Sequence, residues 1–161
     1  MGRVEADSGF FLVLALMLLL FPLGLVAGIA LAALIHEGGQ LLAIRLAGGR
    51  VLAIKLHIGG ARIETAPMPP GRAALCALAG PMGSLSLLLL ARWLPRIAVC
   101  AAFHALYNLL PLYPLDGGRA LRCGIRMLLP PKAAAVACTA TEKICLTAIC
   151  LVALYASFSL H

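Results

Sequence analysis

Charge is scarce in this sequence. Of 161 residues only 12% are charged and only six are acidic, while 63% are apolar and the mean hydropathy is +1.03. An ordinary soluble domain carries about 25% charged residues, so that class is excluded and the chain belongs in lipid. Also missing is any Cys-x-x-Cys pair. The cysteines at 76, 100, 123, 138, 145 and 150 lie mostly within apolar runs, which excludes a thiolate zinc site and a disulfide framework and leaves them as small apolar filler. The 13 Lys and Arg give a net charge of +7, yet they are dispersed among apolar segments, so they do not make a nucleic-acid-binding face. No small-residue cleavage site follows the apolar run behind Arg3, and that run reads as retained rather than as a signal peptide. Repeated halves with matching broken helices, the mark of many transporters, are absent as well.

What is present is a succession of apolar runs. At roughly 20 residues per span, the length accommodates four or five spans with short connections, so residues 1–161 read as a single integral-membrane core with no separate soluble domain. Phe10 to Leu20 is apolar, Phe21-Pro22-Leu23-Gly24 interrupts it, and Leu25 to Ala47 is a second run. Gly48-Gly49-Arg50 ends that helix, and the alternation from Val51 to Ile58, followed by Gly59-Gly60 and Ala61 to Glu64, predicts a short β-hairpin. An open strand cannot face lipid, which puts the hairpin at the membrane surface or against a cavity. Arg72 to Leu94 is a third span carrying Ala79-Gly80-Pro81-Met82-Gly83, whose small residues permit close helix packing. A fourth runs from Ile97 to Leu110 and breaks at Pro111 to Gly118. Arg119 to Leu129 predicts a short basic interfacial helix whose Arg119, Arg122 and Arg126 anchor to anionic headgroups, and Ala133 to Phe158 is the last span. The fold class expected is an all-α membrane protein of about five transmembrane helices, with a short β-hairpin between the second and third.

Alternation of five spans puts Arg3, Arg45, Arg50, Lys55, Arg62, Arg72, Arg119, Arg122, Arg126 and Lys132 on one side and only Arg92 and Arg96 on the other, with Lys143 undecided inside the last span. The positive-inside rule then places the N-terminus and both polar connections in the cytoplasm.

Two clusters carry chemistry. His36-Glu37-Gly38-Gly39-Gln40 lies inside an apolar helix, where a charge costs at least ~2.5 kcal/mol by insertion scales. Residues there need a partner or a task. His36 and Gln40 are i and i+4, hence on one face, the spacing by which a helix offers two ligands to one metal. Glu37, beside the first of them, stands where a general base takes a proton from metal-bound water. The second cluster is Asn108-Leu-Leu-Pro111-Leu-Tyr-Pro114-Leu-Asp116-Gly-Gly-Arg119. Two prolines and two glycines break a membrane helix just before a carboxylate, which such a break can turn inward as a third, hard oxygen ligand. Asn108 is a candidate to hydrogen-bond substrate backbone or the reacting carbonyl. The plainer readings are polar glue between helices for His36 and Glu37, a helix cap for Asp116, ordinary cavity or interface roles for His57 and His104, and a solvated terminus for His161.

The two motifs together, in this order, resemble those of the site-2 protease family of intramembrane metalloproteases, especially the small branch that processes sporulation transcription factors. The resemblance implies Zn2+ held by His36 and Asp116, Glu37 as general base and acid, and a transmembrane or membrane-associated protein as substrate. With no separate nucleotide-binding or peptide-binding domain in the sequence to supply regulation, a regulator in the membrane is expected as partner; no nucleic acid is, and the chain is expected in a bacterial cell membrane with the site on the cytoplasmic side. One position departs from the family's His-Glu-x-x-His: Gln40 stands where the second imidazole ligand belongs. Three readings fit: an inactive form, a weaker site in which the Gln40 carbonyl oxygen ligates, or a substitute imidazole from His57 or His104, His104 being the better placed. Gln is a much poorer zinc donor than imidazole. The functions expected are therefore intramembrane zinc-dependent proteolysis or, because of Gln40, a catalytically impaired pseudoprotease that binds a membrane partner.

Overall fold

The structure, a computed structural model, describes residues 3–159; His161 and its expected solvated role lie outside them. Strand β1 (Arg3–Ala6) leads into helix α1 (Ser8–Leu20), and α2 (Leu23–Leu46) follows at once. Asp7 starts α1 by accepting the Phe10 amide at 2.8 Å, the ordinary use of a short acidic side chain at a helix start. Pro22 ends it, because the residue before a proline is driven out of the helical region, and Phe21 is extended. Gly48, at φ +70°, closes α2. Its neighbour Gly49 donates to the Ile44 carbonyl at 2.8 Å. This left-handed turn is the termination that the Gly48-Gly49 pair predicts.

Strands β2 (Val51–His57) and β3 (Gly60–Thr65) form the expected antiparallel hairpin, with Ile54 opposite Ile63 and Lys55 opposite Arg62. The Glu64 carboxylate, 2.9 Å from the Lys55 ammonium, raises that lysine above its ordinary pKa. The all-α expectation needs one correction here. β1 adds to β2 in parallel, Arg3 opposite Ala53, and makes a three-stranded sheet in the order β1-β2-β3. Arg-Val-Glu-Ala is too short and too charged to announce a strand; β2 supplies the partner that stabilises it.

Helix α3 (Pro70–Ser86) continues into a 3-10 turn at Leu87–Leu90 and is followed by α4 (Pro95–Asn108), α5 (Asp116–Leu128) and α6 (Pro131–Ser159). Among the described residues, three helical stretches are long and apolar enough to cross a bilayer: Leu23–Leu46, Pro70–Leu90 and Pro131–Ser159. At 13 and 14 residues, α1 and α4 are each about 20 Å long, short of the roughly 30 Å hydrocarbon core. Of the five expected spans, these two thus fall below spanning length.

The packing is that of a membrane protein. α2 buries Gly28, Ala32, His36, Gln40 and Ile44, one residue in every four, while Leu31, Leu34, Leu42 and Leu46 point outward. α3 does the same with Cys76, Gly80 and Ser84, and α4 with Ala98, Ala101 and Ala105. Small side chains at the seams let backbones approach, and large apolar ones are left for lipid. A Cβ on Gly39 would sit 2.8 Å from the Ala79 carbonyl oxygen, and one on Gly83 3.0 Å from that of Ile35, so α2 and α3 cross nearly backbone to backbone at the Ala79-Gly80-Pro81-Met82-Gly83 motif. Ala32, Leu87 and Ala101 form the apolar centre on one side of this crossing, and Ile44, Ile63 and Cys76 bind the sheet to it on the other. α6 stands apart. It packs chiefly on α5, burying only Ala134 and Cys138, and the Arg122–Glu142 ion pair at 2.8 Å tethers it.

Candidate functional site

The i, i+4 stripe on α2 carries His36 and Gln40 to the same buried seam, 3% and 2% exposed. Asp116, 80 residues further on, meets them there. Its carboxylate Oδ2 lies 2.7 Å from His36 Nε2, and its Oδ1 accepts the Gln40 amide at 2.8 Å and the Arg119 guanidinium at 3.1 Å. Asp116 is the first residue of α5, and its side chain caps nothing; the cap reading of the sequence gives way to a cross-link between helices.

Two glycines make this approach possible. A Cβ on Gly117 would overlap the carbonyls of Leu109 and Leu110, and one on Gly118 the Leu112 carbonyl and the Tyr113 nitrogen. The first turn of α5 therefore rests directly on the backbone of the 109–113 break. That contact aims Asp116 back toward α2 and accounts for Gly-Gly after the aspartate.

Residues that the sequence does not assign to the site complete the cluster. Ser84 of α3, fully buried, places its hydroxyl 3.3 Å from His36 Nδ1 and 3.4 Å from the Ala32 carbonyl. With a proton on Nε2 to bond Asp116, Nδ1 is the acceptor for that hydroxyl. Gly80 forms the floor, since a Cβ there would stand 2.5 Å from His36 Nε2. Arg119 belongs here too, not to a headgroup-anchoring stripe, because it sits one turn after Asp116 on the same face. The sequence holds a signal for each: Ser84 is four residues after Gly80 in a small-residue helix, and Arg119 is three after Asp116. We expect Gly80→Ala to displace the His36 ring and destabilise the fold by about 1–3 kcal/mol, the usual cost of overpacking. Gly38→Ala, whose Cβ meets nothing within 4 Å, should cost far less when both are unfolded by denaturant in micelles.

The remaining candidates divide. Glu37 is half-buried beside His36 on α2, with no hydrogen bond or ion pair to the described residues. The His104 ring packs edge-on against that of His36, centroids 4.8 Å apart. Asn108 ends α4 and donates to the His104 carbonyl at 2.9 Å, which leaves its Oδ1 free. His57 is drawn into its own hairpin turn, where Nδ1 accepts the Gly59 amide at 3.1 Å, and takes no part.

The donor set does not fit a catalytic zinc. Such sites use three protein ligands drawn from imidazole, carboxylate and thiolate, and among the described residues no three His, Cys, Asp or Glu come together as a metal-binding group. Gln40 directs an amide N–H, which has no lone pair for a metal, at the one carboxylate. Both Asp116 oxygens and His36 Nε2 are taken up in the resulting bonds, and no buried side-chain nitrogen or oxygen among the described residues is left without a partner.

The class these observations define is a helical membrane protein whose imidazole, carboxamide and carboxylate meet at one buried seam. In fold, the chain is similar to Site-2 Protease from Methanocaldococcus jannaschii, with a TM-score of 0.71 and 21% identity over 98% of this chain and 83% of that one. The likeness is one of fold. No protein-family profile and no curated protein matches the sequence.

Proposed function

We propose that this chain is an intramembrane protease of the site-2 type in architecture, catalytically impaired at Gln40, that binds an extended segment of a membrane-spanning polypeptide. The observation that carries this reading is the closed set of bonds on Asp116, in which an amide donor from Gln40 stands where a metal ligand is required. The fold supports the membrane setting, and residence in a bacterial cell membrane with the site on the cytoplasmic side rests on the family resemblance.

Binding draws on groups the structure leaves available. β3 is an edge strand, so its outer backbone can pair with a substrate that has been drawn out of its helix. The helix break between α4 and α5 lies close to the buried cluster, and the free Oδ1 of Asn108 accepts a backbone N–H. Glu37 offers a carboxylate on the same helix as His36. The hydrolysis that the family resemblance implies, with Zn2+ at His36 and Asp116 and Glu37 as base, needs a third ionisable donor that these residues lack.

The test is a single-span peptide with a Gly- and Pro-weakened centre, mixed with the full chain in micelles with added zinc. We expect saturable binding, an intact peptide and substoichiometric zinc. A chain that retains one zinc and cuts the peptide overturns the impairment, and absence of binding overturns the binding role.

A further inference from the structure

We propose that the groove between α5 and α6 is a binding site for an anionic phospholipid, with the headgroup phosphate held by Arg122 and Arg126. A cavity of about 430 Å³ opens there, lined by the two arginines, Leu129, Ala135, Cys138 and Thr139. Arg126 is exposed and forms no ion pair with a described residue. Arg122 bonds Glu142 through Nε and Nη2, at 2.9 and 2.8 Å, and lies over the Tyr113 ring at 4.2 Å. Its Nη1 remains free to donate. Two guanidinium groups against one carboxylate leave a positive excess, and guanidinium matches phosphate oxygens in charge and in fork geometry.

The rest of the groove identifies the phosphate as part of an amphiphile. Beyond Ala135 and Thr139 a second hollow continues along α6 past Val136 and Ala140 to Lys143. Val136 and Ile144 on this helix are each 70% exposed, a surface suited to acyl chains and unsuited to a free anion. Position along the fold agrees. Arg126 is ten residues after the buried Asp116, about 15 Å along the α5 axis, and lies beside the Pro130-Pro131 turn where α6 begins. That turn is where a bilayer's headgroup layer meets a helix that re-enters the membrane. A phosphatidylglycerol fits; a choline headgroup would bring its own ammonium against the arginines.

The experiment titrates the full chain, in neutral micelles, with phosphatidylglycerol or phosphatidylcholine and counts bound lipid by native mass spectrometry. The parent should hold one phosphatidylglycerol in preference to phosphatidylcholine. Arg126→Gln should weaken it about fivefold, the equivalent of ~1 kcal/mol for one basic residue at a lipid surface. Arg50→Gln removes the same charge from an exposed position outside the groove and should leave binding unchanged. Equal weakening by both variants, or equal binding of the two lipids, overturns the site in favour of diffuse attraction. Displacement by inorganic phosphate at the lipid's own concentration assigns the groove to a free anion and overturns the phospholipid.

Discussion

Gln40→His is expected to convert a chain that holds zinc weakly into one that retains about one zinc per chain, with affinity raised by more than the ~10–100-fold that outer-shell ligand contacts contribute. The position is already right. Gln40 lies on the buried α2 stripe one turn after His36, its side-chain nitrogen 2.8 Å from Asp116 Oδ1, so an imidazole there reaches the same carboxylate. The chemistry of the end group is what differs. An amide nitrogen donates and cannot ligate, and turning its oxygen inward would set it against a carboxylate oxygen. An imidazole supplies a lone pair and completes three protein donors, the number a catalytic zinc takes. Ser84 can adapt, because its hydroxyl is able to accept from His36 Nδ1 once Nε2 gives up its proton to bind metal. Equilibrium dialysis with metal analysis reads the result. Gln40→Ala, which opens space without adding a donor, should gain nothing; if it gains as much as Gln40→His, the missing-donor account is wrong. A Gln40→His chain that stays metal-free removes His36 and Asp116 from the list of metal donors.

The parts of this architecture legible in the sequence are those set by local rules. Gly48 and Gly49 end α2, Pro22 separates α1 from it, and alternation from Val51 marks β2, because each depends on backbone constraints acting within a few residues. His36 and Gln40 are legible as one face because a helix has 3.6 residues per turn. Their meeting with Asp116 could be inferred only by resemblance to a known family, since no local rule links positions 80 apart. β1 is missed for the same reason: its partner strand lies some 50 residues away and its own four residues have no pattern. Apolar composition alone does not set span length: α1 and α4 read as spans in the sequence, yet at 13 and 14 residues they are shorter than the hydrocarbon core. Arg119 is misplaced because a stripe of arginines reads as solvated until the direction of the carboxylate one turn earlier is known.

The His57 and His104 alternatives are separated by topology rather than by propensity. Both sit within apolar surroundings in the sequence, but His57 is held by the two-residue turn that follows it, whereas α4 runs beside α2 and brings His104 onto the His36 ring. The contact is edge to face at 83°, a packing arrangement in which His104 walls the cluster.

Removing the acceptor at the centre of that cluster should be the most damaging single change to stability. Asp116→Ala strands His36 Nε2, the Gln40 amide and one arm of Arg119, the first two of them in the buried seam. Each buried donor left without its acceptor costs about 1–3 kcal/mol, because it has lost its water without keeping its partner. Asp116→Asn keeps one acceptor oxygen and should cost distinctly less. Arg119→Gln should cost less again, since its side chain is 31% exposed and water takes over part of the lost bond. The decisive comparison is the double variant His36→Ala with Asp116→Ala, whose cost should fall short of the sum of the two single changes by ~0.5–3 kcal/mol, as for residues in direct contact. Unfolding by graded denaturant in micelles measures all five variants, His36→Ala alone included. The same series distinguishes a hydrogen-bonded staple from a metal clamp. A chelator should leave the parent's midpoint where it is, because His36 and Asp116 with the Gln40 amide make too poor a donor set to hold zinc, whereas the Gln40→His chain loaded with zinc should lose stability as the metal is stripped.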